Sequence, residues 1–151
     1  YMNVNHHPGR MKLIELAEQI ARDHQLKFKF TDEIYWHDYA ELIRRTKIML
    51  NWAVHQEIPF RMYESTVSGA VFVTNPLKCA VDRLFVKDSE YITYQPDFSD
   101  LEQIIPELLE NPNRLQRIAK AGKNRAEQYS WPIIADNWIA PVLVEIDRKK
   151  S

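Results

Sequence analysis

From Arg61 to Thr74 the chain reads Arg61-Met62-Tyr63-Glu64-Ser65-Thr66-Val67-Ser68-Gly69-Ala70-Val71-Phe72-Val73-Thr74. A carboxylate, Glu64, falls in the first turns of a short helix that stops at a glycine and leads at once into an apolar strand. The apolar run before it, Lys47 to Val54, ends in a polar loop. Such a strand–loop–helix–Gly–strand unit puts one acid and one helix N-terminus at the carboxyl edge of a parallel sheet, where open α/β sheets bind ligands. The unpaired N–H groups of a helix start attract phosphate, and a carboxylate accepts two hydrogen bonds from a diol. A sugar nucleotide offers both groups. The bland alternative for Glu64 is a solvated glutamate near the favourable end of a helix dipole.

Other residues nearby have the right types to join this site. Ile58 to Arg61 opens the helix, and Pro59 suits its first turn because its missing N–H costs nothing there. Phe60, Arg61 and Met62 remain as backbone donors for a diphosphate. The Arg61 side chain either adds charge or forms a surface ion pair, and Ser65 is a further donor-side candidate on the same helix. His55 stands at the mouth of the preceding loop, within range of a sugar or phosphate, although a lone histidine at a strand end is more often structural. Cys79 follows a loop and reads as packing rather than as a nucleophile. His6 and His7 are adjacent, a spacing that rarely aims two imidazoles at one ion, so no metal is expected. The only glycines are Gly9, Gly69 and Gly122. There is thus no GxGxxG and no Walker motif, which disfavours NAD or FAD, and no cofactor is expected.

The flanking pattern supplies the elements that position these residues. Tyr1 to Asn5 reads as a strand, and Arg10 to Gln25 as a helix with Leu13, Leu16, Ala17, Ile20 and Ala21 on one face. Leu26 to Phe30 alternates as a strand, and Asp32 to Tyr35 is loop. His37 to Thr46 is a helix packing through Tyr39, Leu42 and Ile43. Lys47 to Val54 and Ala70 to Thr74 are buried strands, with Gly69 as a left-handed helix terminator. Ala80 to Phe85 is a short helix and Tyr91 to Tyr94 a strand. Ser99 and Glu102 have capping-box spacing, ahead of a stripe of Leu101, Ile104, Ile105, Leu108 and Leu109 that Pro106 should kink. Asn111-Pro112 starts a helix with Leu115, Ile118 and Ala119 inward. Ser130 caps a last helix that begins at Pro132 and bends at Pro141. Strands alternating with helices predict a Rossmann-like α/β domain, a parallel sheet with helices on both faces.

Length and charge narrow the function class. A chain of 151 residues suits one domain, 1–151, and domains of that size bury roughly 68–70% of their unfolded surface without staples. The net charge of −1 disfavours a nucleic-acid partner. One cysteine allows no internal disulfide, and no apolar run approaches the roughly 20 residues of a transmembrane helix. The expected setting is cytoplasmic, at most peripheral at an inner membrane. The start, Tyr1-Met2-Asn3-Val4-Asn5, suggests a strand entered partway, so the chain is expected to be a piece of a longer protein. Trp36, Trp52, Trp131 and Trp138 read as core or domain-interface residues, and Arg148-Lys149-Lys150 as a solvated tail.

Taken in order, several segments resemble the carboxyl-terminal domain of GT-B glycosyltransferases of the group-1, family 4-like type, nearest its spore-maturation-protein-like branch. They are Lys47-Ile48-Met49-Leu50-Asn51, Arg61-Met62-Tyr63-Glu64 with Ser68-Gly69-Ala70, Leu84-Phe85, and Glu90-Tyr91-Ile92-Thr93-Tyr94. Asp100-Leu101, Asn111-Pro112 with Arg114, Ile118 to Gly122, and Tyr129-Ser130-Trp131 complete the series. The resemblance covers about Tyr39 to Trp131. It implies a donor-binding half for a nucleotide-diphospho-sugar, with a glycan or other acceptor held by an amino-terminal domain, and little activity in isolation. It also implies that Glu64 grips the donor ribose and that a base near the first turn, Arg10 or Lys12, neutralises diphosphate. The group's second acid usually lies eight positions before the first. Gln56 stands there, and Glu57 lies seven before, so either the loop shifts and Glu57, with His55 beside it, contacts the donor sugar at the reacting centre, or that role is lost. The competing reading is a degenerate, non-catalytic nucleotide-binding or protein-interaction module. A receiver-like signalling domain ranks lower, because Asn3, Asn5 and His6 stand where its acidic cluster would be.

Overall fold

The computed structural model describes residues 7–31, 34–78 and 81–150, without the side chains of Trp36, Asp147, Lys149 and Lys150. The expected strand at Tyr1–Asn5, the His6 ligand question and Cys79 lie outside the described residues. Among the described residues three strands form a sheet: β1 Ile48–Asn51, β2 Val71–Thr74 and β3 Ile92–Thr93. Their order is β1-β2-β3 and both pairings are parallel. Ile48 pairs with Val71 and Asn51 with Thr74, and Val73 pairs with Ile92. The helices before the site are α1 Pro8–Asp23, α2 Trp36–Arg45 and α3 Phe60–Val67. Those after it are α4 Val81–Leu84, α5 Leu101–Glu110 and α6 Pro112–Glu127.

Side-chain alternation on β2 divides the core. Val71 and Val73 face a cluster with Leu13 and Ile20 of α1 and Leu101, Ile105 and Leu108 of α5. Phe72, pointing the other way, joins Met62 of α3, Val81 of α4, Phe85 and Ala126 of α6. Helices therefore cover both faces, and β2 is buried along its whole length. This is the α/β domain with a parallel sheet that the sequence predicts.

The local signals fared unevenly. Gly69 ends α3 with φ +89°, the region glycine enters without steric cost. The Asn111 side chain accepts from the Arg114 N–H at 3.0 Å and caps α6. The Ser99–Glu102 capping box does not form. Asp100 is the N-cap residue, and the Ser99 hydroxyl donates instead to Asp97 at 2.8 Å. Ser130 is an N-cap without a side-chain bond, and its helix begins at Trp131, not Pro132. That helix, α7 Trp131–Ile134, passes through a π-helical turn at Ala135–Ile139 into α8 Ala140–Lys150. The wide turn sits just before Pro141, whose ring and missing N–H disrupt ordinary α-helical bonding. Trp131 and Trp138 are 75% and 72% exposed there, so neither is a core residue of this domain.

Two predicted strands differ. Leu26 to Phe30 makes no strand; Phe28 and Phe30, which alternation set on one face, are exposed. The strand expected from Lys47 to Val54 stops at Asn51, because the backbone of Ala53 is captured by a side chain rather than by the neighbouring strand. Among the described residues no helix is long and apolar enough to cross a membrane.

Candidate functional site

The chain leaves the sheet through a buried polar knot at the carboxyl ends of the strands. The Asn75 side-chain amide accepts from Ala53 N–H at 2.7 Å and donates to Ala53 C=O at 3.0 Å. The Asn51 amide donates to the Thr74 hydroxyl at 3.0 Å, and the Tyr94 hydroxyl donates to the Asn51 carbonyl at 2.7 Å. Buried polar groups of this kind are costly unless paired. Together they fix where the loop after β1 begins. The loop then turns through Gln56, at φ +58°, and the Gln56 carbonyl accepts from Lys78 N–H at 2.8 Å. The Glu57 carboxylate closes the turn by accepting from the His55 N–H at 2.9 Å.

Beyond the loop lies an open cleft of about 260 Å³ lined by Arg10, Asn51, Trp52, Ala53, Glu57, Pro59, Phe60, Arg61 and Glu64. Two acids and two arginines therefore share one concavity at the carboxyl edge of the sheet. Arg10 arrives from the first turn of α1 because Gly9 packs against Trp52. A Cβ on Gly9 would lie 2.6 Å from the indole, so no larger residue fits without displacing one or the other. Trp52 is in turn stacked on Phe98 at 5.1 Å, and Phe98 on Tyr94 at 5.6 Å, which ties the cleft wall to the core. Burial, and then the charge of Arg61, lower the Arg10 pKa below the ordinary arginine value, while Glu57 acts the other way. The Arg10 Nε is buried and has no hydrogen-bond partner among the described residues. Two cations lining one cleft, with the Arg10 Nε unpartnered among the described residues, suit an anionic ligand.

Pro59 is the N-cap residue of α3 and Phe60 its first residue. Phe60 is 82% exposed at the cleft lip. Of the expected backbone donors, Met62 already gives its N–H to the Pro59 carbonyl at 2.9 Å, and its side chain is fully buried. Ser65 is also fully buried, and its hydroxyl donates to the Arg61 carbonyl at 2.7 Å. The structure thus gathers Arg10, Glu57, Phe60, Arg61 and Glu64 into the cleft wall. It leaves Met62 and Ser65 in the core and the exposed His55 outside that wall.

A protein-family model described as "Glycosyl transferase-like" matches residues 12–140, most of the chain. The chain belongs to this glycosyl transferase-like family. No curated protein compared with it matches. The loop–helix–Gly–strand unit, with α3, Gly69 and β2, falls inside the matched segment. Arg10 lies just before the matched segment, so its place in the cleft rests on the fold alone.

Sequence reasoning missed three participants. Tyr39 reads as a packing residue on α2, yet its hydroxyl donates to Glu64 Oε2 at 2.9 Å. Asn75 sits in an Asn-Pro pair that signals a chain break, which hid its two bonds to Ala53. Trp52 lies at the end of an apolar run and resembles any core aromatic. No local signal distinguishes these three; each depends on a contact made across at least 22 residues of chain.

Proposed function

We propose that the cleft binds a nucleotide-diphospho-sugar as the donor half of a glycosyltransferase. The observation that carries this reading is the convergence of Arg10, Arg61, Glu57 and Glu64 on one cleft at the carboxyl edge of a parallel sheet. Glu64 accepts hydrogen bonds from the ribose hydroxyls. Arg10 and Arg61 hold the diphosphate, helped by the N–H groups at the start of α3 and its dipole. Phe60, exposed at the lip, offers an aromatic face to the base or sugar. Glu57, anchored by the His55 N–H, faces the sugar at the reacting centre. The family relationship supports transfer to an acceptor hydroxyl held by a further domain. In that step the bond from the anomeric carbon to the diphosphate oxygen breaks and a bond to the acceptor oxygen forms. The acceptor's proton leaves with the diphosphate. Negative charge grows on the departing oxygen, and two guanidiniums fixed beforehand stabilise it without reorganisation.

The test is calorimetric titration of the chain with UDP, GDP, ADP and their common sugar conjugates, on wild type and Glu64→Ala. Selective binding to one nucleotide, weakened roughly tenfold to a hundredfold by the substitution, is the expected result, as a charged hydrogen bond contributes about 1.5–3 kcal/mol. Equal affinity in the variant would remove Glu64 from the site. Binding of a nucleotide by a longer protein that never transfers the sugar would favour a degenerate module; Gln56 at the usual acid position, its carbonyl held by Lys78, is the observation on that side.

A further inference from the structure

The Tyr39 hydroxyl stands between two charged groups of the cleft. It donates to Glu64 Oε2 at 2.9 Å and lies within hydrogen-bonding reach of the Arg61 guanidinium. A phenol oxygen donates once and also accepts, so it can take a bond from the cation while giving one to the carboxylate. Tyr39 comes from α2, whereas Glu64 and Arg61 both belong to α3. The residue does not itself line the cleft, so whatever it does for a ligand it does through these two side chains.

We propose that Tyr39 is a positioning residue for the donor site: it fixes the Glu64 carboxylate through Oε2 and leaves Oε1 to accept from the diol of a nucleoside diphosphate. The inference rests on the donor-site reading above and adds a residue to it. A glutamate side chain loses considerable rotamer freedom when a ligand fixes it. Glu64 is exposed, so without Tyr39 that loss would fall on the binding step. With Tyr39 it is met during folding. The phenol is a donor at neutral pH, as an ordinary tyrosine is, and burial first and Glu64 second raise its pKa further. The competing role is purely structural, a tie between α2 and α3. The two roles separate because only positioning requires Glu64 to be present when the ligand binds.

The experiment measures dissociation constants for UDP, GDP and ADP, with thermal midpoints, on wild type, Tyr39→Phe, Glu64→Gln and the double variant. Tyr39→Phe is expected to weaken the nucleotide that binds by about three- to tenfold and to leave the midpoint nearly unchanged. In the Glu64→Gln background it should weaken binding no further. If wild type binds a nucleotide and Tyr39→Phe binds it equally well, the inference fails and the donor-site reading stands. It fails in the same way if Tyr39→Phe costs the same factor with and without Glu64. If wild type binds none of the three, the donor reading fails and takes the inference with it. A ligand-free arm follows the tyrosine ring carbons by NMR, with Tyr39 assigned from its loss in Tyr39→Phe. Its titration should move to lower pH in Glu64→Gln, and an unmoved titration would overturn the contact itself.

Discussion

Arg10 holds a partly desolvated guanidinium near the charge of Arg61, and the Arg10 Nε has no hydrogen-bond partner among the described residues. In the free protein this arrangement is unfavourable, since a buried donor without a partner costs about 1–3 kcal/mol and like charges repel. A diphosphate would relieve both. Arg10→Met is therefore expected to raise the thermal midpoint of the free chain while weakening nucleoside-diphosphate binding about tenfold or more. Scanning calorimetry and titration on the same preparation check both signs, and a fall in stability with unchanged binding would contradict the assignment. Glu64 and Arg61 were legible in the sequence because a helix start, an acid and a terminating glycine lie within one short segment. Arg10 was legible only by resemblance, and Tyr39 not as a site residue at all. A tyrosine on an amphipathic helix has one meaning locally and another once α3 lies beside it.

At the scale of elements, two glycines act for different reasons. Gly69 lets α3 turn directly into β2 at φ +89°, and a Cβ there would meet nothing within 4 Å. Gly69→Ala is thus a pure backbone cost of about 1–2 kcal/mol. Gly122 is the reverse case. A Cβ on it would come within 2.5 Å of the Glu90 carbonyl oxygen, just before β3, where the Glu90 carboxylate also receives Arg125 of α6 at 3.1 Å. Gly122→Ala should destabilise by about 1–3 kcal/mol through overpacking of α6. Urea midpoints for the two variants test this. A second contrast is that Gly69→Asn should recover much of the loss, because asparagine tolerates the left-handed region, whereas no larger residue should rescue position 122. The helix stripes of α1, α5 and α6 were read correctly from spacing alone, since an amphipathic period is a local property. The Ser99–Glu102 capping box was not, because the Asp97 carboxylate takes both the Ser99 hydroxyl and its N–H, and Asp100 stands at the N-cap.

For the molecule as a whole, the buried phenols set an alkaline limit. Tyr94 is 1% exposed, and burial pushes its phenol well above the ordinary tyrosine range. Burial also raises Tyr39, Tyr63 and Tyr91. A folded-state pKa above the unfolded value of about 10 means that the unfolded chain ionises first. The stabilisation is then fully present below about pH 10 and is lost as pH rises toward the folded pKa. Urea midpoints are expected to fall above about pH 10, and less steeply in Tyr94→Phe, once its lower starting stability from the lost bond to Asn51 is allowed for. Equal slopes in both proteins would show that Tyr94 titrates as it does in the unfolded chain. The sequence by itself determined the class of fold, the covered faces of β2 and its flanking helices, and the acid-bearing helix at the sheet edge. Each of these follows from periodicity and punctuation, which act over a few residues. Only the tertiary structure decided where β1 ends, which of Glu57 and His55 faces the cleft, and that Met62 and Ser65 turn inward. It alone also brought Arg10, Trp52, Tyr39 and Asn75 to the site. Those outcomes depend on contacts between segments far apart in the chain, Gly9 with Trp52, Tyr39 with Glu64 and Asn75 with Ala53, and such contacts leave no mark on either segment until the fold joins them.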